Sequence, residues 1–293
     1  MKLVTYDAGQ GSRTGAVVGE LTVDLHAASE GRLPSDMLTL IADERSLAVA
    51  RDLAARAALD FRALPPGSSV PLADVRLLAP VPRPGKIICL GLNYRDHARE
   101  SSAEVPAEPV VFCKASSSAI GAGEPIVLPW ASSKVDYEVE LAVLIGRRVK
   151  SIDAGQAMSC VLGYTVLNDV SARDYQLEKP GGQWYLGKSF DTFCPMGPWI
   201  VTADEIADPH ALKLWCEVSG EILQSSDTRQ MVFRIPDIVA YVSRVFTLEP
   251  GDVIGTGTPG GVGFVRTPPR FLRSGDIVRC AVECVGSLEN PVY

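Results

Sequence analysis

Asp136-Tyr137-Glu138-Val139-Glu140-Leu141-Ala142-Val143-Leu144-Ile145 is a strongly apolar, strand-like run carrying two glutamates two positions apart. On a strand, residues i and i+2 share a face, so both carboxylates point one way while Val139, Leu141 and Val143 take the other. Carboxylates this close repel unless a cation lies between them or one takes a proton. Read alone, the pair fits the solvated face of an edge strand equally well. A third acid favours the cation: Val161–Leu167 reads as a strand ending in Asn168-Asp169, and an acid at a strand end can close a site. Three carboxylates without His or Cys form an oxygen-only set suited to a hard ion, Mg²⁺ or Mn²⁺.

Working outward, Lys86–Leu90, Val110–Cys113, Ile126–Leu128, Val135–Ile145, Trp199–Val201, Leu212–Val218, Asp252–Ile254 and Ile277–Val285 all read as strands. Helices are fewer here, with Asp153–Val161 and Ile235–Phe246 the clearest, opened by a capping Asp and by Pro236. Strands without a helix between each pair disfavour a doubly wound parallel sheet, so the fold class expected is α+β with a mixed, mainly antiparallel β core. Residues 1–28 alternate short apolar runs with turns and suggest a two-stranded hairpin, and 35–64 repeat Leu, Ala and Val at helical spacing after Ser35 or Asp36 as cap. Prolines crowd residues 65–85, which reads as a linker. The expected organisation is a small N-terminal α/β domain, 1–75, and a larger domain, 76–293.

The 293 residues bury a real core, and 46% hydrophobic against 22% charged residues exclude a disordered chain. Thirty-five acids against 28 Lys plus Arg leave a net charge of −7, which works against nucleic acid and anionic membranes as partners and favours a small molecule. No window approaches the roughly 18 apolar residues of a membrane span. Seven cysteines without a C-x-x-C pair read as buried free thiols. These features place the protein in the cytosol.

Gly91-Leu92-Asn93-Tyr94, Tyr137-Glu138-Val139-Glu140-Leu141, Asn168-Asp169-Val170-Ser171-Ala172-Arg173-Asp174, Gly187-Lys188-Ser189-Phe190 and Gly255-Thr256-Gly257-Thr258-Pro259, in this order over residues ~86 to 293, together resemble the fumarylacetoacetate hydrolase family. The resemblance implies a compact β-roll or barrel, a homodimer, and Mg²⁺ or Mn²⁺ on Glu138, Glu140 and Asp169. Gly91-Leu92-Asn93 offers no further acid, which implies the three-carboxylate site of the smaller acylpyruvate-type members.

His97 and Glu100 share one face if Tyr94–Glu100 is helical. Such a pair by itself is more often a surface contact; the resemblance aligns it with the family's water-activating dyad, His97 as general base and Glu100 orienting it. The segment 98–109, rich in Glu, Ser and Ala, reads as a lid that orders over bound substrate. Lys188, otherwise read as a snorkelling surface lysine, is placed in the site to hold a developing oxyanion. Thr258 matches a substrate-carboxylate contact, with Arg173, Gln176, Lys114 and Gln183 as further substrate-binding candidates. His26 and His210 receive no role. Gly255-x-Gly257-x-x-Gly260 satisfies a dinucleotide fingerprint, but Thr267-Pro268-Pro269 leave no room for the helix that must follow. The expected activity is metal-dependent hydrolysis of a C–C bond in a β-diketo acid of acylpyruvate or fumarylpyruvate type. Oxaloacetate decarboxylation and dienoate isomerisation are rivals within the family, and a non-catalytic metal-binding scaffold is the rival outside it.

Overall fold

The computed structural model describes residues 1–9 and 11–293. Its centre is the strand Val139–Ile145, antiparallel to Val161–Asn168 on one side and to Val253–Gly255 on the other. Beyond these lie Ile87–Gly91, parallel to Val253–Gly255, and then Val110–Lys114. On the opposite flank Cys194–Thr202 pairs with Val161–Asn168 and hands the sheet to the N-terminal strands Lys2–Asp7, Ser12–Val18, Leu21–Asp24 and Ser69–Pro71. The amino-terminal hairpin thus extends to further strands and is continuous with the main sheet.

Both faces of Val139–Ile145 are buried. Val139, Leu141, Val143 and Ile145 join one hydrophobic core, and Ala142 and Leu144 join a second. The edge-strand reading of the two glutamates is therefore excluded, because the face they occupy continues into core. The first of these cores also packs a separate antiparallel sheet, in the order Glu221–Asp227, Lys213–Val218, Ile277–Val282, Gly286–Pro291.

The mixed, mainly antiparallel core expected from the sequence is present, but no closed barrel forms among the described residues. Closure needs complementary free edges, and the end strand Ser69–Pro71 is three residues long and closes on a proline with no N–H to give. The continuous strand read over Val135–Ile145 is also split. Val135–Asp136 pairs with Ser171–Ala172, whereas Val139 pairs with Asn168. Between them the Asn168 side-chain carbonyl accepts the Glu138 N–H at 2.9 Å, so a side chain replaces a rung of the ladder. Helix 35–64 is two helices, Met37–Ile41 capped by Asp36 and Glu44–Asp60 capped by Asp43. Six of the seven cysteines are wholly or partly buried; Cys284 is exposed. No helix among the described residues is long and apolar enough to cross a membrane.

Gly163 marks how closely the strands approach: a Cβ there would meet the Val201 carbonyl oxygen at 2.1 Å. Gly163→Ala is expected to lower stability by at least about 1–3 kcal/mol through overpacking against backbone that cannot give way. Unchanged denaturant unfolding would show that the two strands can part without cost.

Candidate active site

The register of the central strands builds the site. Val139 opposite Asn168 brings the start of one strand beside the end of the next, and Asp169 N–H donates to the Glu138 carbonyl at 2.9 Å. Glu138, Glu140 and Asp169 consequently converge, each buried, with an oxygen from each within 4.8 Å of the others. Cations surround them. Lys188 Nζ donates to Glu138 Oε2 and Asp169 Oδ2, both at 2.7 Å, Lys114 Nζ to Asp169 Oδ1 at 2.5 Å, and Arg173 Nη2 pairs with Glu138 Oε1 at 2.6 Å.

The acids differ in their electrostatics. Burial alone would raise Glu138, but Lys188 and Arg173 outweigh it and hold its carboxyl at about 2. Glu140 is pushed well above the usual carboxylate range, by burial first and then by the charges of Asp169 and Glu138. Its Oε2 accepts one N–H, from Gly257 at 3.1 Å, and its Oε1 is buried without a partner among the described residues. An orphaned carboxylate oxygen facing two more carboxylates fits a hard divalent cation, which would satisfy that oxygen and relieve the repulsion. The residues present therefore match the metal that the acid pattern predicts, with Glu138, Glu140 and Asp169 as its holders.

Through Glu138 this floor borders a cavity of about 270 Å³, with Glu140 and Asp169 behind its lining. Leu90, Phe112, Trp184 and Phe264 give it apolar walls, and His97, Glu138, Arg173, Gln176, Lys188 and Thr258 bring the polar groups. Gly91 makes room for Trp184, whose ring would stand 2.7 Å from any Cβ there. His97 sits on the short helix Arg95–Glu100, and its Nδ1 lies 2.8 Å from Glu100 Oε1. Glu100 is held in turn by the Gly261 N–H on Oε2 at 2.6 Å. This leaves the other ring nitrogen of His97 for the cavity.

The structure thus gathers His97, Glu100, Lys188, Glu138, Glu140, Asp169, Arg173, Gln176 and Thr258 in one place. Lys114 lies beneath the cavity floor rather than on its wall, 0% exposed at its side chain. Thr258 lines the cavity, yet its hydroxyl is engaged, donating to the Val139 carbonyl at 3.0 Å and accepting from Gln224 at 2.8 Å. Gln183 is apart from the others: exposed, it donates to the Pro180 carbonyl at 3.0 Å. His26 and His210 serve local structure, against the Leu33 carbonyl and the Ile235 N–H.

Two contributors carry no signal that a sequence reading would catch. Asp136 is fully buried; its Oδ2 accepts from Arg173 Nε at 2.9 Å and from the Phe264 N–H at 3.1 Å, and its Oδ1 from the Gly263 N–H at 2.8 Å. It thereby fixes the guanidinium, which stacks 4.4 Å from the Phe264 ring. Gln224, from the second sheet, ties Val139 to the turn after Thr258. Only the fold brings these partners together.

The fumarylacetoacetate (FAA) hydrolase C-terminal family model matches residues 86–293. The Rattus norvegicus protein named oxaloacetate tautomerase Fahd2a, mitochondrial, is 50% identical over 94% of this chain and 85% of its own length. Among solved structures, 2-hydroxyhepta-2,4-diene-1,7-dioate isomerase from Mycobacterium marinum is 37% identical with a TM-score of 0.77, over 100% of this chain and 98% of its own. Maleylpyruvate hydrolase from Sphingobium sp. SYK-6, in complex with manganese(II) and pyruvate, is 34% identical with a TM-score of 0.79, over 100% of this chain and 98% of its own. The cytosolic placement read from the sequence is corrected here, because relatives from Bos taurus, Homo sapiens and Rattus norvegicus are all named mitochondrial. Composition and free thiols describe how a chain folds and carry no address.

Proposed function

This chain belongs to the fumarylacetoacetate hydrolase family, and we propose that it interconverts the enol and keto forms of a small 2-oxo dicarboxylic acid of the oxaloacetate class. The observation that carries this reading is the His97–Glu100 pair, 2.8 Å apart, with His97 lining the same cavity as Glu138 of the acidic triad. The name of the rat relative supports the choice of oxaloacetate.

Tautomerisation removes the enol O–H proton and places a proton on the neighbouring carbon, so the enzyme needs one group able to take and return a proton. His97 suits this: Glu100 on Nδ1 holds the ring in one orientation while the other nitrogen faces the substrate. A divalent ion, Mg²⁺ or Mn²⁺, on Glu138, Glu140 and Asp169 would act as a Lewis acid toward the 2-oxo acid and stabilise enolate charge. Lys188 adds a fixed positive charge beside the same oxygens, and burial strengthens that attraction. The apolar walls exclude water, which protects a reactive enolate from unguided protonation.

The same walls favour a second reading, hydrolysis of an acylpyruvate or fumarylpyruvate, because Leu90, Phe112, Trp184 and Phe264 offer an apolar bed for an acyl chain that oxaloacetate does not have. In that reaction His97 takes its proton from water. One series of incubations separates the readings. Purified protein with Mg²⁺ or Mn²⁺ is given freshly prepared enol-oxaloacetate, and loss of enol absorbance is followed against the spontaneous rate, with carbon dioxide release measured in parallel. Acceleration that a chelator abolishes, without carbon dioxide, is the expected result. No acceleration, together with pyruvate release from acetylpyruvate or fumarylpyruvate, would put hydrolysis in its place.

A further inference from the structure

Val139 stands between the two glutamates of the floor, and both of its backbone polar groups are tied to one neighbouring structure. Gln224 Oε1 accepts the Val139 N–H at 2.9 Å, and the Val139 carbonyl accepts the Thr258 hydroxyl at 3.0 Å. Gln224 Nε2 then donates to Thr258 Oγ1 at 2.8 Å and to the Pro259 carbonyl at 3.0 Å. The turn that follows lies directly on the strand of Gln224: Gly261 has φ +105°, and a Cβ there would meet the Leu223 carbonyl oxygen at 2.2 Å. From this turn the Gly261 N–H reaches Glu100 Oε2 at 2.6 Å, and the other oxygen of Glu100 holds His97. A continuous set of hydrogen bonds therefore runs from the Glu138–Glu140 segment through Gln224 and the 258–261 turn to Glu100 and the imidazole.

We propose that Gln224 is a positioning residue for the acid–base pair: it fixes the turn that orients Glu100 to the strand that carries Glu138 and Glu140, and so sets where His97 stands over the floor. This rests on the reading of His97 and Glu100 as the proton-moving pair. The amide suits the task. It presents one acceptor and two donors in a rigid plane, matching one N–H on the strand and two oxygens on the turn. Gln224 is buried, so each of these groups left unmatched is costly, which holds the arrangement to one geometry. Glutamate in its place keeps the acceptor for Val139 and loses both donations; methionine fills the volume and makes no bond.

The test uses Gln224→Met, Gln224→Glu, Glu100→Ala and the double variants of each Gln224 change with Glu100→Ala. The chain has three histidines, so ring signals in a ¹⁵N-labelled sample are assignable by single replacements. In Gln224→Met the His97 ring signals should move toward their positions in Glu100→Ala while those of His26 and His210 stay in place. Turnover should fall by about tenfold or more, as a misplaced acid–base group implies, and the same change on the Glu100→Ala background should produce no further fall. Gln224→Glu, with one native bond kept, should show the same ring shift and carries the test should the methionine variant not fold. Unmoved His97 signals in a folded Gln224 variant, or an equal fold-loss of turnover in both backgrounds, would overturn the proposal and reduce Gln224 to general support. Should Glu100→Ala leave turnover intact, the acid–base reading fails, and the ring signals still decide whether Gln224 sets the position of His97.

Discussion

His97→Asn is expected to lower kcat by about 10²–10⁴, the usual worth of a positioned general acid–base group, and to leave Mn²⁺ affinity unchanged. The reason lies in the division of the site. His97 bonds to Glu100 and not to the floor, whose carboxylates are held by Lys188, Lys114, Arg173 and the Gly257 N–H. Asparagine removes the titrating ring from the wall and disturbs none of those contacts. Steady-state turnover of enol-oxaloacetate and calorimetric titration with Mn²⁺ check the two halves separately. Parallel loss of both would mean that His97 shapes the floor, and the division of labour would fail.

Asp169→Ala is expected to be the most destabilising single change. Asp169 is fully buried and neutralises two lysines, Lys114 at 2.5 Å and Lys188 at 2.7 Å. Lys188 would retain Glu138, but Lys114 would keep only the Val170 carbonyl at 3.1 Å. Removing one partner of a buried ion pair costs about 3–5 kcal/mol, because the remaining charge stays desolvated or must give up its proton. The same change takes away one of the three oxygens offered to a cation. Denaturant unfolding should report the loss of stability, and Mn²⁺ titration the loss of binding. A variant as stable as the parent that still takes up Mn²⁺ would make Asp169 a bystander.

The acidic floor was legible because its cause is local. Glu138 and Glu140 are two apart, Asp169 follows an evident strand, and antiparallel register does the rest. The break after Asp136 was not legible, since an apolar run does not announce that a side chain, Asn168, will take a backbone partner thirty positions away. Asp136 and Gln224 escaped for the same reason at longer range: Gly263 lies 127 residues from the first, and Val139 lies 85 from the second. The second N-terminal helix is a different case. Asp43-Glu44-Arg45-Ser46 is a good capping sequence, and Asp43 accepts the Ser46 N–H at 3.0 Å, but continuous helical periodicity across Ala42 masked the restart. The His97–Glu100 spacing showed that the two could meet; that they meet over the floor depends on the Gly261 N–H, which belongs to another part of the chain.

The strand Cys194–Thr202 is met on its outer flank by the first residues of the chain, Lys2 opposite Val201 and Leu3 opposite Ile200. Stripped of that cover, the flank would present unpaired N–H and C=O groups to any other strand, a template for self-association. The amino-terminal segment thus acts as a guard rail for a sheet whose catalysis happens elsewhere. Shortening the protein to the portion that carries the acidic triad would leave an adhesive rim, and solubility would register the loss before turnover did.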